Sequence, residues 1–248
     1  MNLHRGSALS EQQSQHEQTD TLVDALAIAA IATVESGMKV GLGAGRTAAR
    51  GIELLAQRVI DEHLDIVCVA ASERAEDLAR TKGLKIVDFA MLEELDILID
   101  GADAVDRHMQ VMKGSRGAMT RERILCWAAK KSIFMVGENK VVDGQIGIAT
   151  PLPIAVMAFG LVSTRNALRH IGINGVIRQD MDGKLFITDN GNLVLDATLN
   201  GSENLAQLAT ELNDIPGVID HGLFIDEADT ILIEKANGNI DRLDRAVL

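Results

Sequence analysis

The sequence has few aromatic and few basic residues, and both shortages exclude classes of function. Five Phe, one Trp and no Tyr provide little surface for stacking nucleic-acid bases or for an aromatic-rich protein interface. Lys and Arg total 24 against 36 Asp and Glu, which gives a formal net charge of -12. Such a chain has no broad positive surface for nucleic acid or anionic membrane. We therefore expect a few local groups to hold any anionic ligand.

Cysteine, long apolar runs and a signal segment are scarce or missing as well. Cys68 and Cys126 stand far apart in apolar surroundings, which predicts two buried thiols in a reducing compartment. No apolar run approaches the ~18 residues of a membrane span, and the N-terminus has no apolar core with a cleavage site. The histidines show no metal-ligand spacing, so we assign no metal. These features predict a cytoplasmic protein without membrane or nucleic-acid partners.

What the chain does contain is a regular alternation of strand and helix patterns in its first 147 residues. Residues 1–19 are polar and Gln-rich, and we interpret them as a disordered tail. The strands are predicted at 38–43, 66–70, 84–87, 95–100 and 132–136, and the helices at 21–34, 47–60, 73–82 and 120–130. This alternation is typical of an α/β fold with a Rossmann-like, mostly parallel sheet.

The pattern changes after Pro151-Leu152-Pro153, where two of the three prolines punctuate the sequence and the predicted strands begin to pair through short turns. Predicted helices at 159–170 and 203–212 accompany short strands near 176, 185–188 and 193–197, joined by hairpin turns that include Asp189-Asn190-Gly191-Asn192. We place this inserted α+β domain at 148–220. Residues 20–147 and 221–248 then form the Rossmann-like domain, because the apolar strand 230–234 is typical of one covered on both faces.

The first candidate site is the glycine-rich segment Gly41-Leu42-Gly43-Ala44-Gly45-Arg46-Thr47, between a predicted strand and a helix. Backbone N–H groups and the helix dipole would meet there, which suits a phosphate group. Arg46 stands where a dinucleotide fingerprint needs its third glycine, and the Gly-Lys-Ser/Thr ending of a P-loop is missing. A purely structural tight turn is the alternative, but Arg46 favours an anion site.

The end of the strand at 95–100 carries the second candidate, Asp100-Gly101-Ala102-Asp103. Its carboxylates are suited to acid–base chemistry, to sugar hydroxyls or to a divalent metal, and an Asp at a helix N-terminus is the structural alternative. We expect neither carboxylate to be needed for folding.

Two more strand ends carry basic or acidic residues. A basic loop that begins at Lys113 leads into a helix whose predicted N-cap is Thr120, and Glu122 is either a general base or ordinary helix-start charge. Lys140 follows the strand 132–136 and by itself is typical of a solvated lysine. Because the carboxyl ends of parallel strands share one edge of a sheet, we expect all four segments to face one cleft.

These segments, in this order, resemble the type A ribose-5-phosphate isomerase family from about residue 21 onward. The resemblance also includes His108-Met109-Gln110, Thr120-Arg121-Glu122, Thr188-Asp189-Asn190-Gly191-Asn192, Ile215-Pro216-Gly217-Val218 and Gly222-Leu223-Phe224. It implies interconversion of ribose 5-phosphate and ribulose 5-phosphate through an enediolate, without metal or organic cofactor. It also implies a homodimer or homotetramer.

The resemblance implies catalytic roles for four residues of this chain. Glu122 would carry the proton between C2 and C1, and its place at the start of a helix would keep it ionised. Asp100 would assist ring opening and Asp103 would hold a sugar hydroxyl. Lys113 would stabilise the developing oxyanion.

The loops expected to hold the substrate depart from the family pattern. Ala44 and Arg46 stand where hydroxyl residues are usual, Ser115 and Arg116 interrupt a run of glycines, and Ala104 replaces an acidic residue. A bidentate phosphate contact from the arginine would compensate for the missing hydroxyls. The alternatives are an isomerase of a different sugar phosphate and a non-catalytic sugar-phosphate-binding protein.

We expect the phosphate at Gly43–Thr47 with Lys140 nearby. The predicted substrate-binding residues are Gly43, Ala44, Gly45, Arg46, Thr47, Asp100, Gly101, Ala102, Asp103, Lys113, Gly114, Ser115, Arg116 and Lys140.

Overall fold

The computed structural model describes residues 24–246, so the predicted tail lies outside the described residues. The helices are α1 (Ala25–Ile31), α2 (Arg46–Glu62), α3 (Glu73–Thr81), α4 (Met119–Ala128), α5 (Leu161–His170) and α6 (Leu205–Asn213). The strands are β1 (Lys39–Leu42), β2 (Val67–Ala70), β3 (Ile97–Gly101), β4 (Ala104–Asp106), β5 (Val111–Met112), β6 (Ser132–Gly137), β7 (Val141–Val142), β8 (Leu152–Val156), β9 (Gly175–Ile177), β10 (Leu193–Ala197), β11 (Val218–His221), β12 (Leu223–Phe224), β13 (Thr230–Glu234) and β14 (Ile240–Asp244).

The first sheet has six strands in the order β14-β13-β6-β3-β1-β2. Its strand pairs are parallel except the edge pair of β13 and β14. The prediction of a mostly parallel sheet that strand 230–234 rejoins is therefore confirmed. The chain passes from β1 to β2 on one side and returns to β3 on the other, so the winding reverses between β1 and β3. A crevice opens at such a reversal, at the carboxyl ends of the two strands.

The side chains of β3 alternate between the two faces of this sheet. Ile97 and Ile99 pack into the core shared with α1, α2 and α3, whereas Leu98 belongs to the opposite core. Because side chains alternate along a strand, Asp100 lies on the same face as Leu98. Phe134 is its direct neighbour on β6. The carboxylate is thus delivered into apolar surroundings.

The second sheet has four strands in the order β11-β8-β10-β9, and its named pairs are antiparallel. Leu152–Val156 is a buried strand of this sheet that was not predicted, and Pro153 pairs with Asp196 within it. Proline is tolerated there because it stands near the start of the strand. The helices α5 and α6 cover this sheet. The assignment of residues 148–220 to a separate domain stays a prediction.

The third sheet, β12-β5-β4-β7, was not predicted. Its strands have two or three residues each, which is too short for any periodicity to reveal them. The antiparallel pairing of β4 with β5 places the residue before β4 beside the residue after β5. This pairing brings Asp103 and Lys113 to the same place.

Two predicted strands are wrong, and one predicted turn is confirmed. Residues 84–87 make a single bridge, between Ile86 and Cys68, before Asp88 begins a short turn by accepting the Ala90 N–H. Residues 185–188 likewise form only isolated bridges. The hairpin turn at 189–192 is present, closed by the hydrogen bond from Thr188 N to the Asn192 carbonyl.

Within residues 24–246, no helix has the length and apolar character that a membrane crossing requires.

Candidate active site

The glycine loop between β1 and α2 wraps around Asp100. A Cβ atom on Gly43 would lie 2.0 Å from the Asp100 carboxyl carbon, so only glycine fits there. The Ala44 N–H donates to Asp100 Oδ1 at 3.1 Å, and the Gly101 N–H donates to the same oxygen at 2.7 Å. Gly45 has a φ of 98° and precedes the first residue of α2. The loop therefore points the first N–H groups of α2, which have no partners within the helix, into the crevice.

These contacts correct the expectation that Asp100 has no part in the fold. Its side chain is fully buried and fixes the glycine loop by the two backbone hydrogen bonds. The Asp100 carboxylate therefore fixes the backbone of the glycine loop from the side opposite the cavity.

Asp100, Lys113 and Glu122 form a buried cluster of three charged side chains. The Lys113 ammonium lies 2.9 Å from Asp100 Oδ2 and 3.1 Å from Glu122 Oε1. It also donates to the Gly101 carbonyl at 2.5 Å. The Phe134 ring, 5.4 Å from the ammonium, helps to keep the cluster dry. One positive charge is thus shared between two carboxylates in a site with little water.

Burial controls the protonation of this cluster. It raises the pKa of Glu122 to about 8, and the neighbouring Asp100 charge adds to the rise while Lys113 opposes it. Burial also raises the pKa of Asp100, against the lowering effect of Lys113. Burial disfavours the charged form of Lys113, but the Asp100 and Glu122 charges prevail and raise the pKa of the ammonium. Lysine therefore stays charged, and the protonation of each carboxyl depends on the charge of the other.

The start of helix α4 differs from the prediction, and so does its effect on Glu122. The helix begins at Met119 with Ala118 as its N-cap residue, so Thr120 lies inside the first turn and does not cap it. The Glu122 N–H donates to the Ala118 carbonyl, which places Glu122 beyond the unsatisfied N–H groups. The helix start was expected to keep Glu122 ionised. Burial instead outweighs it and makes the carboxyl a weaker acid.

Glu122 has one carboxylate oxygen that is available for chemistry. Oε1 pairs with Lys113, whereas Oε2 is buried and accepts no hydrogen bond from any residue in the range 24–246. A buried polar atom without a partner is uncommon and often marks a catalytic group. This oxygen is suited to accept a proton from a bound molecule.

Arg123, the next residue on α4, anchors the helix from the opposite side. It donates to the Asp220 carboxylate and to the Leu223 carbonyl, each at 2.8 Å, and it pairs with Glu227. Most of its side chain is buried. These bonds fix the helix turn that presents Glu122.

Asp103 is held by the loop that follows Lys113. We call residues 113–117 the lysine loop. The N–H and the hydroxyl of Ser115 donate to the two Asp103 carboxylate oxygens at 2.8 and 2.5 Å. Ser115 was predicted to bind substrate and was noted as a departure from the family pattern, and the structure shows its contact with Asp103.

The predicted segments enclose one cavity of about 210 Å³. Its lining residues are Ala44, Gly45, Arg46, Thr47, Gly101, Ala102, Asp103, Lys113, Gly114, Ser115, Arg116, Glu122, Lys140 and Thr150. Gly43 and Asp100 were predicted to bind substrate but lie behind this wall. Thr150 was missed, because a threonine before a proline in a loop carries no chemical pattern.

Carboxyl groups line the floor of the cavity, and cationic side chains line its mouth. Arg46 and Arg116 are exposed, and Lys140 is half-buried. None of the three forms an ion pair with another residue between 24 and 246. On a chain with a net charge of -12, this concentration of free positive charge is suited to a small anion.

Fold and cavity together define a doubly wound α/β protein with a glycine loop suited to an anion and a buried cluster of two carboxyls and a lysine at one sheet edge. The family model for ribose 5-phosphate isomerase A (phosphoriboisomerase A) matches residues 67–238. Ribose-5-phosphate isomerase A of Rhodopseudomonas palustris (strain TIE-1) is 41% identical over 223 residues, covering 88% of this chain and 94% of the relative.

Solved structures are similar over the same extent. Ribose 5-phosphate isomerase A from Methanocaldococcus jannaschii has a TM-score of 0.83 and 31% identity, covering 89% of this chain and 96% of that chain. A D-ribose-5-phosphate isomerase in complex with phospho-erythronic acid has a TM-score of 0.84 and 32% identity, with the same coverage. The chain belongs to the ribose 5-phosphate isomerase A family. The resemblance and the fold class predicted from the sequence are confirmed.

Proposed function

We propose that this protein interconverts ribose 5-phosphate and ribulose 5-phosphate, with Glu122 as the general base. The observation that carries the assignment is the free Oε2 of Glu122, buried beside Lys113 in the wall of the cavity. In the open-chain sugar, this oxygen would take the proton from C2. An enediolate would form, and the same carboxyl would return the proton to C1.

Lys113 would stabilise the negative charge that develops on the enediolate oxygen. Its ammonium is charged and fixed before substrate arrives, so little reorganisation is needed in the transition state. Asp103 would accept a hydrogen bond from a sugar hydroxyl. Asp100 is closed off from the cavity, so any help with ring opening would have to pass through Lys113.

The phosphate would bind at the glycine loop, against Ala44–Thr47, the part of the loop that lines the cavity. The first N–H groups of α2 and the Arg46 guanidinium would contact its oxygens, with Lys140 on the other side of the mouth. The arginine would thereby replace the hydroxyl groups that the family usually has in this loop. A complex with phosphate bound elsewhere would contradict this placement.

A coupled assay of the purified protein with ribose 5-phosphate tests the function. We expect turnover without added metal and in the presence of a chelator. Glu122→Gln should lower kcat by about 10²–10⁴-fold, because it keeps the shape of the side chain and removes the base. Glu93→Gln, at an exposed position, is the matched control and should keep wild-type activity.

Absence of turnover from folded wild-type protein would contradict the proposed function. Equal activity of the Glu122→Gln variant and the wild type would contradict the assignment of Glu122 as the base and leave the proposed function intact.

We also propose a cytoplasmic location and a homodimeric or homotetrameric assembly. Cys68 and Cys126 are buried free thiols, in keeping with a reducing compartment. Phe159 and Val162 expose 87% and 73% of their surface in the region 148–220, which supports a contact between copies of the chain. Light scattering of the purified protein measures the assembly.

A further inference from the structure

A chain of hydrogen bonds connects the second sheet to the lysine loop. Arg178 follows β9, and only 14% of its side chain is exposed. Its Nε and Nη2 atoms donate to the Asp196 carboxylate on β10, at 2.8 and 2.5 Å. Its Nη1 atom donates to the carbonyl oxygens of Gly114 and Ser115, at 3.1 and 2.9 Å. One guanidinium therefore holds two successive carbonyl groups of the loop.

The lysine loop needs such an anchor because its backbone is unusual. Gly114 and Gly117 have φ values of 95° and 79°, and the loop is closed by a hydrogen bond between Gly117 N and the Gly114 carbonyl. The Arg178 guanidinium lies 5.4 Å from the centre of the Phe186 ring, so it is itself held in place. A fixed donor of this kind sets the orientation of the peptide at Ser115.

Ser115 passes this orientation to the cavity, because its N–H and hydroxyl both donate to Asp103. Lys113 is fixed separately, by Asp100, Glu122 and the Gly101 carbonyl. The loop therefore has two ends with different supports. The hydrogen bonds from Arg178 connect through Ser115 to Asp103. None of these hydrogen bonds is made to the side chains of the buried cluster.

We propose that Arg178 is a positioning residue that sets substrate affinity by holding Ser115, and through it the Asp103 carboxylate, toward the sugar. This inference rests on the proposed function. A hydroxyl contact to Asp103 would be present in the bound substrate and in the transition state alike. Its loss therefore raises KM and leaves kcat unchanged.

Steady-state kinetics of Arg178→Met with ribose 5-phosphate measures this effect. KM should rise about tenfold with kcat within about twofold of wild type, the size expected for one misplaced hydrogen bond to a charged group. Arg242→Met is the matched control, because Arg242 also makes a bidentate pair, with Asp244, but contacts no site residue. A KM equal to that of the control would overturn the proposal.

The Asp103→Ala background separates positioning from a general loosening of the second sheet. If Arg178 acts through Asp103, adding Arg178→Met to this variant changes KM by less than about twofold. The same tenfold rise in both backgrounds would show that the arginine acts elsewhere, and would overturn the proposal. Arg178→Lys keeps the charge without the planar fork and should give a smaller rise in KM. It serves as the test variant if Arg178→Met does not fold.

Binding is also measurable without turnover, as the rise in melting temperature caused by ribose 5-phosphate. Wild type and Arg242→Met should show the rise, and Arg178→Met should lose most of it at the same concentration. Binding without turnover in the wild type would overturn the isomerase assignment and still test Arg178. An equal rise in melting temperature in Arg178→Met and wild type would overturn the positioning role of Arg178 and leave the isomerase assignment intact.

Discussion

The buried cluster of Asp100, Lys113 and Glu122 differs from the cations at the cavity mouth in whether the positive charge has a partner within the protein. In the cluster, one ammonium serves two carboxylates in dry surroundings, so the protonation state depends on all three groups. At the mouth, Arg46 and Lys140 form no ion pair within residues 24–246 and are available to a ligand. The floor of the cavity is therefore suited to proton transfer, and the mouth is suited to binding an anion.

Among the changes that test this comparison, removing the Lys113 ammonium should have the largest effect on activity and stability. Lys113→Met leaves two buried carboxyls without a counter-charge, so the pKa of Glu122 should rise further. We expect kcat to fall roughly 10²–10³-fold, as for loss of an oxyanion donor. The free energy of unfolding should fall by about 3–5 kcal/mol, as for a broken buried pair. Activity assays and urea unfolding measure the two effects.

The exposed Lys184→Met variant controls for the loss of one positive charge and should match wild type in both measurements. A Lys113→Met enzyme with near wild-type kcat would show that the cation is not required for the chemistry.

The pH dependence of kcat/KM tests the buried side of the comparison. Glu122 acts as a base only when it is deprotonated, and burial raises its pKa to about 8. Below that pH, kcat/KM should rise about tenfold per pH unit, and above it the value should level off. A separate inflection near pH ~6 belongs to the substrate phosphate.

A profile between about pH 4 and about pH 9.5 makes this measurement. A plateau that already begins near pH ~5 would mean that Glu122 titrates like an ordinary exposed glutamate.

Changes at the mouth should have the smallest effect and should act on binding alone. Arg46→Met should raise KM about tenfold and leave kcat within about twofold, since a phosphate contact is made before and during the reaction. The difference from wild type should shrink at high salt. Arg74→Met, on the exposed face of α3, is the matched control. A fall in kcat with unchanged KM would show that Arg46 takes part in the chemical step. The functional distinction between the floor and the mouth of the cavity would then be wrong.

The sequence was sufficient to predict which segments meet, because that depends on topology alone. Strand ends in an alternating α/β pattern share one edge, and the glycine loop, Asp103, Lys113 and Lys140 line one cavity there. The third sheet was not predictable, since strands of two or three residues leave no periodic pattern. Its pairing nevertheless explains why Asp103 and Lys113, ten residues apart in sequence, are neighbours.

The direction of the Glu122 pKa shift also could not be predicted from the sequence. A glutamate near a helix start predicts a lowered pKa, and the opposite shift results from burial that only the folded chain creates. The role of Ser115 was hidden in the same way, because its two bonds to Asp103 depend on the turn between Gly114 and Gly117.

The position of β13 has a consequence for how the chain reaches its native state. Thr230 on this strand pairs in parallel with Ile133 on β6, and Arg50 on α2 bonds both Asp24 and Glu234. During synthesis, the sheet that carries the glycine loop and Asp100 is therefore incomplete until residues 230–234 have left the ribosome. Contacts across so many residues make folding slow compared with local pairing. The site is thus assembled late, and a chain that stops before β13 exposes an unpaired sheet edge that favours aggregation.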